Sequence, residues 1–204
     1  MFYRIEDIPD EQTMQAVVAR LLPLVPLQRR EYALRYRHLH GQYCCLRAWQ
    51  LLHELLTEHA LIPSDFPLSQ LTYTEDEYGK PSLIPNSLIA HRSPHFSISH
   101  TKNALAVAVS REPVGIDVEA VVSVRRAEDT PLLQRTMNAA ERQVIAASAD
   151  PCMTFTELWT RKEAVFKAIG TGINFETLPD VLLMDDFCVR SGHTATYAYA
   201  IASR

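Results

Sequence analysis

Asp117, Glu119, Glu163 and Lys167 are the residues of this chain whose types and spacing could do chemistry. Asp117 and Glu119 lie two apart in Val114-Gly-Ile-Asp-Val-Glu119, where apolar and acidic residues alternate, so on a strand both carboxylates point to one face. Glu163 and Lys167 lie four apart in Trp159-Thr-Arg-Lys-Glu-Ala-Val-Phe-Lys-Ala168, so on a helix they share one face. Three oxygen donors and a cation suit a hard divalent metal, Mg²⁺ foremost, set against a phosphate, and phosphoryl transfer is the chemistry that follows. Each pair also has an ordinary reading. An acidic strand face can simply be solvated, although two like charges along it repel and favour a cation between them. A Glu–Lys pair at this spacing is the common helix salt bridge, worth about 0.3–0.5 kcal/mol. The apolar Trp159, Val165, Phe166 and Ile169 imply a packed, rigid helix, with Arg161 and Lys162 adding positive charge beside it.

Two more segments carry candidate groups. Phe96-Ser-Ile-Ser-His100 reads as a strand with a hydroxyl and an imidazole at its tip. Adjacent strand residues face opposite ways and no G-x-S-x-G elbow surrounds Ser99, so Ser99 and His100 suit phosphate contact better than nucleophilic catalysis. Gly79-Lys80-Pro81 places a lysine in a rigid turn, from which it could reach a nucleotide phosphate or merely turn the chain. Neither G-x-x-x-x-G-K-[ST] nor G-x-G-x-x-G occurs, which argues against an ordinary ATPase or dinucleotide enzyme. Arg29, Arg30, Arg35, Arg37 and Arg47 cluster with His38 and His40, either as an anion-binding patch or as a solvated helix face.

The elements that must position these groups follow from periodicity. Helical patterns cover residues 12–24 and 27–58, and prolines 63 and 67 break the second. Residues 71–74 alternate like a strand, 77–81 make a turn, and strands are expected at 95–99, 104–110 and 114–119. Ala104–Val109 is apolar on both faces, as a covered central strand would be. Asn138 with Glu141 forms a capping-box pattern, and a longer helix runs from about 153 to 169 and ends at Gly170. Residues 179–184 and 195–202 read as strands, the latter echoing 104–109. Two similar α+β halves meeting near residues 111–114 are expected.

Bulk properties bound the class. The 204 residues are 47% hydrophobic and 22% charged, ordinary for a soluble globular protein, and the net charge of −4 argues against nucleic-acid binding. Four cysteines occur without a C-x-x-C, which disfavours a zinc site and suits free thiols in a reducing cytoplasm. The N-terminus lacks signal-peptide character, and no apolar run approaches the ~20 residues of a membrane span.

The order of these motifs resembles the surfactin-type 4′-phosphopantetheinyl transferases: Tyr78-Gly-Lys-Pro81, Phe96-Ser-Ile-Ser-His100, Val114-Gly-Ile-Asp-Val-Glu119, then Trp159-Thr-Arg-Lys-Glu-Ala164 with Lys167. The resemblance extends from about Arg29 to the C-terminus. It implies an α+β pseudodimer of halves 1–111 and 112–204 with the active site between them. It implies a monomeric enzyme that uses Mg²⁺ to move the 4′-phosphopantetheine arm of coenzyme A onto a serine of an apo acyl or peptidyl carrier protein. The other product would be adenosine 3′,5′-bisphosphate. The family's metal ligands map to Asp117, Glu119 and Glu163, its pyrophosphate-side lysine to Lys167 and its phosphate-contacting pair to Ser99 and His100. Its adenine and ribose loop maps to Gly79, Lys80 and Pro81. Glu163 would be the base for the carrier serine, directly or through a bound water. The family places basic or hydroxyl residues at the coenzyme A 3′-phosphate. Here Arg29 matches one such position, Tyr32 and Cys45 depart from two others, and Arg47 or Arg30 could compensate. Arg125 and Arg126 could meet an acidic carrier helix or be a solvated loop. The competing readings are a non-catalytic carrier-protein or coenzyme A binding module of the same fold and, less favoured, a Mg²⁺ phosphohydrolase.

Overall fold

The computed structural model describes residues 1–84, 93–123, 131–182 and 186–204. The chain runs β1 (Phe2–Asp7), α1 (Glu11–Leu21), α2 (Leu27–Leu34), α3 (Leu39–Glu58), a short 3₁₀ turn, β2 (Tyr73–Glu75), β3 (Pro81–Leu83), β4 (His95–His100) and β5 (Ala104–Ser110). It continues through β6 (Val114–Ala120), α4 (Pro131–Thr136), α5 (Ala139–Ala147), α6 (Pro151–Ile169), β7 (Cys188–His193) and β8 (Tyr197–Ser203). The class is α+β, as expected. Two antiparallel sheets, ordered β1-β5-β4 and β6-β8-β7, hold the core, and β2 and β3 form a small hairpin. In both larger sheets the strand earliest in the chain pairs with the latest, which pairs with the strand just before it. The expected boundary near 111–114 falls in the turn between β5 and β6.

Side-chain alternation on β5 explains how the layers stack. Leu105, Val107 and Val109 join the core beneath α3, with Trp49, Leu52 and Phe96. Ala104, Ala106 and Ala108 face the other way, against Val114, Ile116 and Val118 of β6 and Tyr197 and Ile201 of β8. Alanines on that face keep the two sheets close. The echo between 104–109 and the C-terminal strand marks two equivalent places, since β5 and β8 are the central strands of their sheets. β8 turns Ala200 and Ala202 toward Ala164, Val165 and Ala168 of α6.

Hydroxyls of β4 and of Thr101, the residue after it, fasten the two sheets together. Ile116 N–H donates to Ser97 Oγ at 3.0 Å, Ala120 N–H donates to Thr101 Oγ1 at 3.2 Å, and Ser99 Oγ–H donates to Asp117 Oδ1 at 2.8 Å. The edge strands β4 and β6 are thus joined through side chains.

The helix ends follow their local chemistry. Asn138 and Glu141 form the expected capping box, with both bonds at 2.8 Å. α6 begins at Pro151 with Asp150 accepting from Met153 N–H, and it ends where Gly170 adopts φ 89°, a conformation that favours glycine. The stretch 27–58 is two helices, not one. Across the break between α2 and α3 the Tyr36 ring packs over Gly41 of α3, where an added Cβ would lie 2.4 Å from it. β1 was not foreseen, and β7 stands at 188–193 rather than at the expected 179–184. Of that segment, 181–182 is a turn and 183–185 lie outside the described residues.

Several charges expected at the surface have structural partners. Arg47 pairs with Glu6 at 2.6 Å and Glu54 at 3.0 Å, and Arg4 of β1 pairs with Glu54 and Glu58 of α3. Arg30 donates to the carbonyls of Leu22 and Pro23. Arg47 is thus paired with two carboxylates, and Arg30 with neutral carbonyls. Lys162, expected beside the helix, is 1% exposed; its Nζ meets Glu141 Oε1 at 2.8 Å and the Pro179 carbonyl at 2.6 Å. Glu141 also accepts from Asn138 N–H and Val181 N–H, so the buried pair ties α5, α6 and the 179–181 segment together.

Truncating one member of such a pair strands the other. Lys162→Ala should lower unfolding stability by about 3–5 kcal/mol. The double variant Lys162→Met with Glu141→Leu, which leaves no buried charge alone, should lose less. Urea denaturation of the three proteins checks this.

Candidate functional site

The site forms where β6 meets α6. Val114, Ile116 and Val118 face the core, and Gly115, Asp117 and Glu119 take the opposite face, so the expected split between apolar and acidic residues holds. The contact is between backbones. A Cβ on Gly115 would stand 1.9 Å from the Ala164 carbonyl oxygen and 2.4 Å from the Ala168 amide nitrogen. That approach sets Glu163 and Lys167 beside Asp117.

Lys167 does not act as a helix-surface partner alone. Its Nζ reaches across to Asp117 Oδ1 at 2.7 Å and Ser99 Oγ at 2.9 Å. Asp117 is 1% exposed, and its other oxygen, Oδ2, is buried without a hydrogen-bond partner. Oδ1 therefore receives both the ammonium and the Ser99 hydroxyl, and Oδ2 receives neither. Burial, then Asp117, then Glu163 raise the Glu119 pKa to about 7. Burial and Asp117 raise that of Glu163 to about 6, with Lys167 opposing. Below these pH values the carboxyls hold protons that a cation would displace.

Glu163 and Lys167 also border a cavity of about 320 Å³, with Tyr78, Gly79, Lys80 and Pro81 on one side and Phe96, Ser97, Ile98 and Phe166 within it. The expected turn and helix residues thus share one wall system, mainly apolar with two lysines and one acid. Gly79 has φ 78°, and the Asp76 carboxylate accepts the Tyr78 and Lys80 amides at 2.9 Å to hold the turn. The Lys80 side chain turns to the helix: its ammonium donates to the carbonyls of Lys167 at 2.7 Å and Ala168 at 3.0 Å, the open C-terminal end of α6.

His100 stands exposed at the end of β4, edge-on to His40 with ring centroids 6.2 Å apart. Although the residue is exposed at the strand end, desolvation by the surrounding protein, then His40 and Lys167, lower its pKa. Arg29, Tyr32 and Cys45 come together away from the cavity lining. The Arg29 guanidinium lies 4.0 Å from the Trp49 ring centroid and 5.8 Å from that of Tyr32, and donates to Cys45 Sγ at 3.6 Å. Arg29 is 8% exposed, and its Nε is buried without a hydrogen-bond partner. Arg125 and Arg126 lie outside the described residues.

The donor chemistry at Asp117, Glu119 and Glu163 fits a hard divalent cation: three carboxylates, two with raised pKa, and one orphaned buried oxygen. Their arrangement is not a closed cage. Among the described residues no three His, Cys, Asp or Glu side chains are placed to hold a metal ion as they stand, and the cation at Asp117 is the Lys167 ammonium. Gly115 and Ser97 are positions that spacing alone did not single out. The strand-to-helix approach and the sheet seam give them their roles.

Comparison with known proteins places this geometry. Residues 113–197, which contain β6, α4, α5, α6 and β7, match the model of the 4′-phosphopantetheinyl transferase superfamily. The chain is 26% identical over 177 residues to the 4′-phosphopantetheinyl transferase gsp of Aneurinibacillus migulanus, covering 86% of this chain and 65% of that protein. It is 28% identical over 170 residues to psf-1 of Bacillus pumilus, covering 81% and 66%. To Sfp of Bacillus subtilis it is 24% identical over 185 residues, covering 89% and 73%. The chain is thus similar to 4′-phosphopantetheinyl transferases over most of its length, and to the superfamily model over residues 113–197. It spans about two thirds of the length of the first two of these relatives. Among the described residues no helix is long and apolar enough to cross a membrane.

The raised carboxyl pKa values set a pH dependence. The unfolded chain releases these protons near pH 4.5 and the folded chain near 6 for Glu163 and 7 for Glu119. Between those values the folded state binds more protons, so their contribution to stability falls as pH rises through this window. Without divalent metal, the melting temperature should fall from pH 5 to pH 8, and Glu119→Gln should flatten that fall. Millimolar MgCl₂ should raise the melting temperature more at pH 8 than at pH 5. Differential scanning fluorimetry over this grid is the check. Gly115→Ala should unfold or strongly destabilise the protein in the same assay, since its Cβ has backbone on the far side.

Proposed function

We propose that this protein transfers the 4′-phosphopantetheine arm of coenzyme A to a serine hydroxyl of an apo acyl or peptidyl carrier protein, leaving adenosine 3′,5′-bisphosphate. The observation that carries the reading is the junction of three expected elements. Ser99 of β4, Asp117 of β6 and Lys167 of α6 share hydrogen bonds, and Glu163 borders a cavity that also includes the Gly79–Pro81 turn. The names of the relatives support the same transfer.

The reaction breaks the phosphoanhydride bond of coenzyme A as the carrier serine oxygen attacks phosphorus. Asp117, Glu119 and Glu163 would hold Mg²⁺, which supplies neutralisation of the pyrophosphate charge. Lys167 gives a second cation to the same anion, and its flexible stem lets it leave Asp117 for a phosphate oxygen. Ser99 donates a hydroxyl hydrogen to that oxygen set once Asp117 no longer takes it, and His100 adds an imidazole at the strand end. Glu163, with a pKa near 6, is ionised at neutral pH and accepts the proton of the attacking serine. The apolar cavity walls at Phe96, Ile98 and Phe166 exclude water from a transfer in which hydrolysis would compete. The carrier is a small acidic partner, and the protein acts in a fatty-acid, polyketide or nonribosomal-peptide pathway of the cytoplasm.

Incubation with coenzyme A, Mg²⁺ and an apo acyl carrier protein should add one phosphopantetheine arm to the carrier, read by intact mass spectrometry, and EDTA should prevent it. Glu163→Gln should remain folded and lose at least ~100-fold in rate. No mass gain across a panel of apo acyl and peptidyl carriers, from a folded wild-type protein, would replace this reading with a non-catalytic carrier-protein or coenzyme A binding module.

A further inference from the structure

We infer that Lys80 is a positioning residue: it fastens the Gly79–Pro81 turn to the last turn of α6, so that the helix end bearing Lys167 is held by the turn that lines the cavity. The inference rests on the transfer reading above for its kinetic consequence, but its structural part stands on three observations. Lys80 Nζ donates to the carbonyl oxygens of Lys167 and Ala168, two of the carbonyls that a helix end leaves open. An ammonium there also meets the negative end of the helix dipole. Gly170 closes the helix in the left-handed conformation with the Lys80 side chain packed against it; an added Cβ would lie 2.9 Å from Lys80 Cδ and 3.2 Å from Nζ. The turn itself is held from below, because the Asp76 carboxylate accepts the Lys80 and Tyr78 amides and the Asp76 amide donates to the Lys80 carbonyl at 3.1 Å.

The consequence lies in Lys167. Its backbone carbonyl is held by Lys80, and its side chain is held by Asp117 and Ser99. One residue is therefore fixed from the turn at its main chain and from β4 and β6 at its ammonium. The turn is 87 residues from Lys167 in sequence, so nothing local to α6 supplies this restraint. Burial lowers the Lys80 pKa, in keeping with an ammonium turned inward to the carbonyls. If Lys80 instead served as a direct ligand for an anionic substrate, its loss would weaken substrate binding. As a positioning residue, its loss loosens the helix end and slows the step in which Lys167 takes part.

The test uses the full chain with Lys80→Met, which keeps the stem and removes the donor, and Lys80→Gln, which keeps a donor without the charge. Hydrogen exchange of the amides in residues 166–170, followed by mass spectrometry on the free protein, should be faster in Lys80→Met than in wild type and intermediate in Lys80→Gln. In the carrier-modification assay, kcat of Lys80→Met should fall ~10-fold or more, since small misplacements of a reacting group are costly. KM for coenzyme A should stay within about twofold, because that change removes transition-state rather than uniform binding. Unchanged exchange in 166–170 overturns the inference, as does a raised KM for coenzyme A with unchanged kcat. A wild-type protein without transfer activity would remove the proposed reaction, while the exchange comparison would still decide whether Lys80 holds the helix end.

Discussion

The absence of a side chain at Gly115 is the constraint on which the site depends. β6 and α6 touch through their backbones there, and any Cβ would occupy the space of the Ala164 carbonyl and the Ala168 amide. Strand and helix at ordinary separation would leave Asp117 and Lys167 too far apart to share a hydrogen bond. At the observed separation Nζ and Oδ1 are 2.7 Å apart. The small residues Ala164, Ala168, Ala200 and Ala202 around the contact continue the same logic, letting α6 lie flat on β6 and β8. A well-packed helix has few alternative registers, so the acid and the lysine it carries are fixed with it.

α6 divides its charges between two tasks according to helical geometry. Lys162 and Glu163 are neighbours in sequence, yet about 100° apart around the axis. Lys162 points into the helical layer and is neutralised by Glu141, with the Pro179 carbonyl completing its bonding. Glu163 points to the cavity, where Asp117 and burial work against its charge. The first lysine is structural because its partners are complete. The second, Lys167, has an acid with one satisfied oxygen and one orphaned oxygen, which is the arrangement of a group able to exchange partners. The sequence Arg-Lys-Glu-Ala does not distinguish these fates; the positions of α5 and β6 do.

Local chemistry was the legible part of this chain. The capping box at Asn138, the glycine stop at Gly170 and the apolar β5 are each written within a few residues, and each forms as read. The acidic face of β6 was legible too, because a two-residue period is a direct statement about side-chain direction. What was not legible depends on distant partners. β1 is a strand because β5 offers it an edge about a hundred residues later. Arg47 pairs with Glu6 and Glu54, and Lys80 with the end of α6, and each pairing needs the tertiary fold to exist first. The break between α2 and α3 at Arg35–His38 escaped periodicity, and the Tyr36 ring packs on Gly41 across it.

The position of the site at the seam of the two sheets has a physical reason. Carboxylates gathered on one face repel one another, and a flexible element would relieve that repulsion by moving apart. Here they cannot easily do so. β6 is clamped on one side by the β4 hydroxyls, on the second by its ladder with β8, and on a third by the backbone contact with α6. The repulsion among Asp117, Glu119 and Glu163 is thus opposed by the packing of both sheets. Neither sheet alone supplies the set of groups, since Ser99 comes from β4 and the Gly79–Pro81 turn from the small hairpin, and the three acids with Lys167 from β6 and α6. Joining the sheets through side-chain hydroxyls, rather than through a continuous ladder, leaves Ser99 free to answer to Asp117 and Lys167. The same bond that fastens the sheets is therefore also a member of the site.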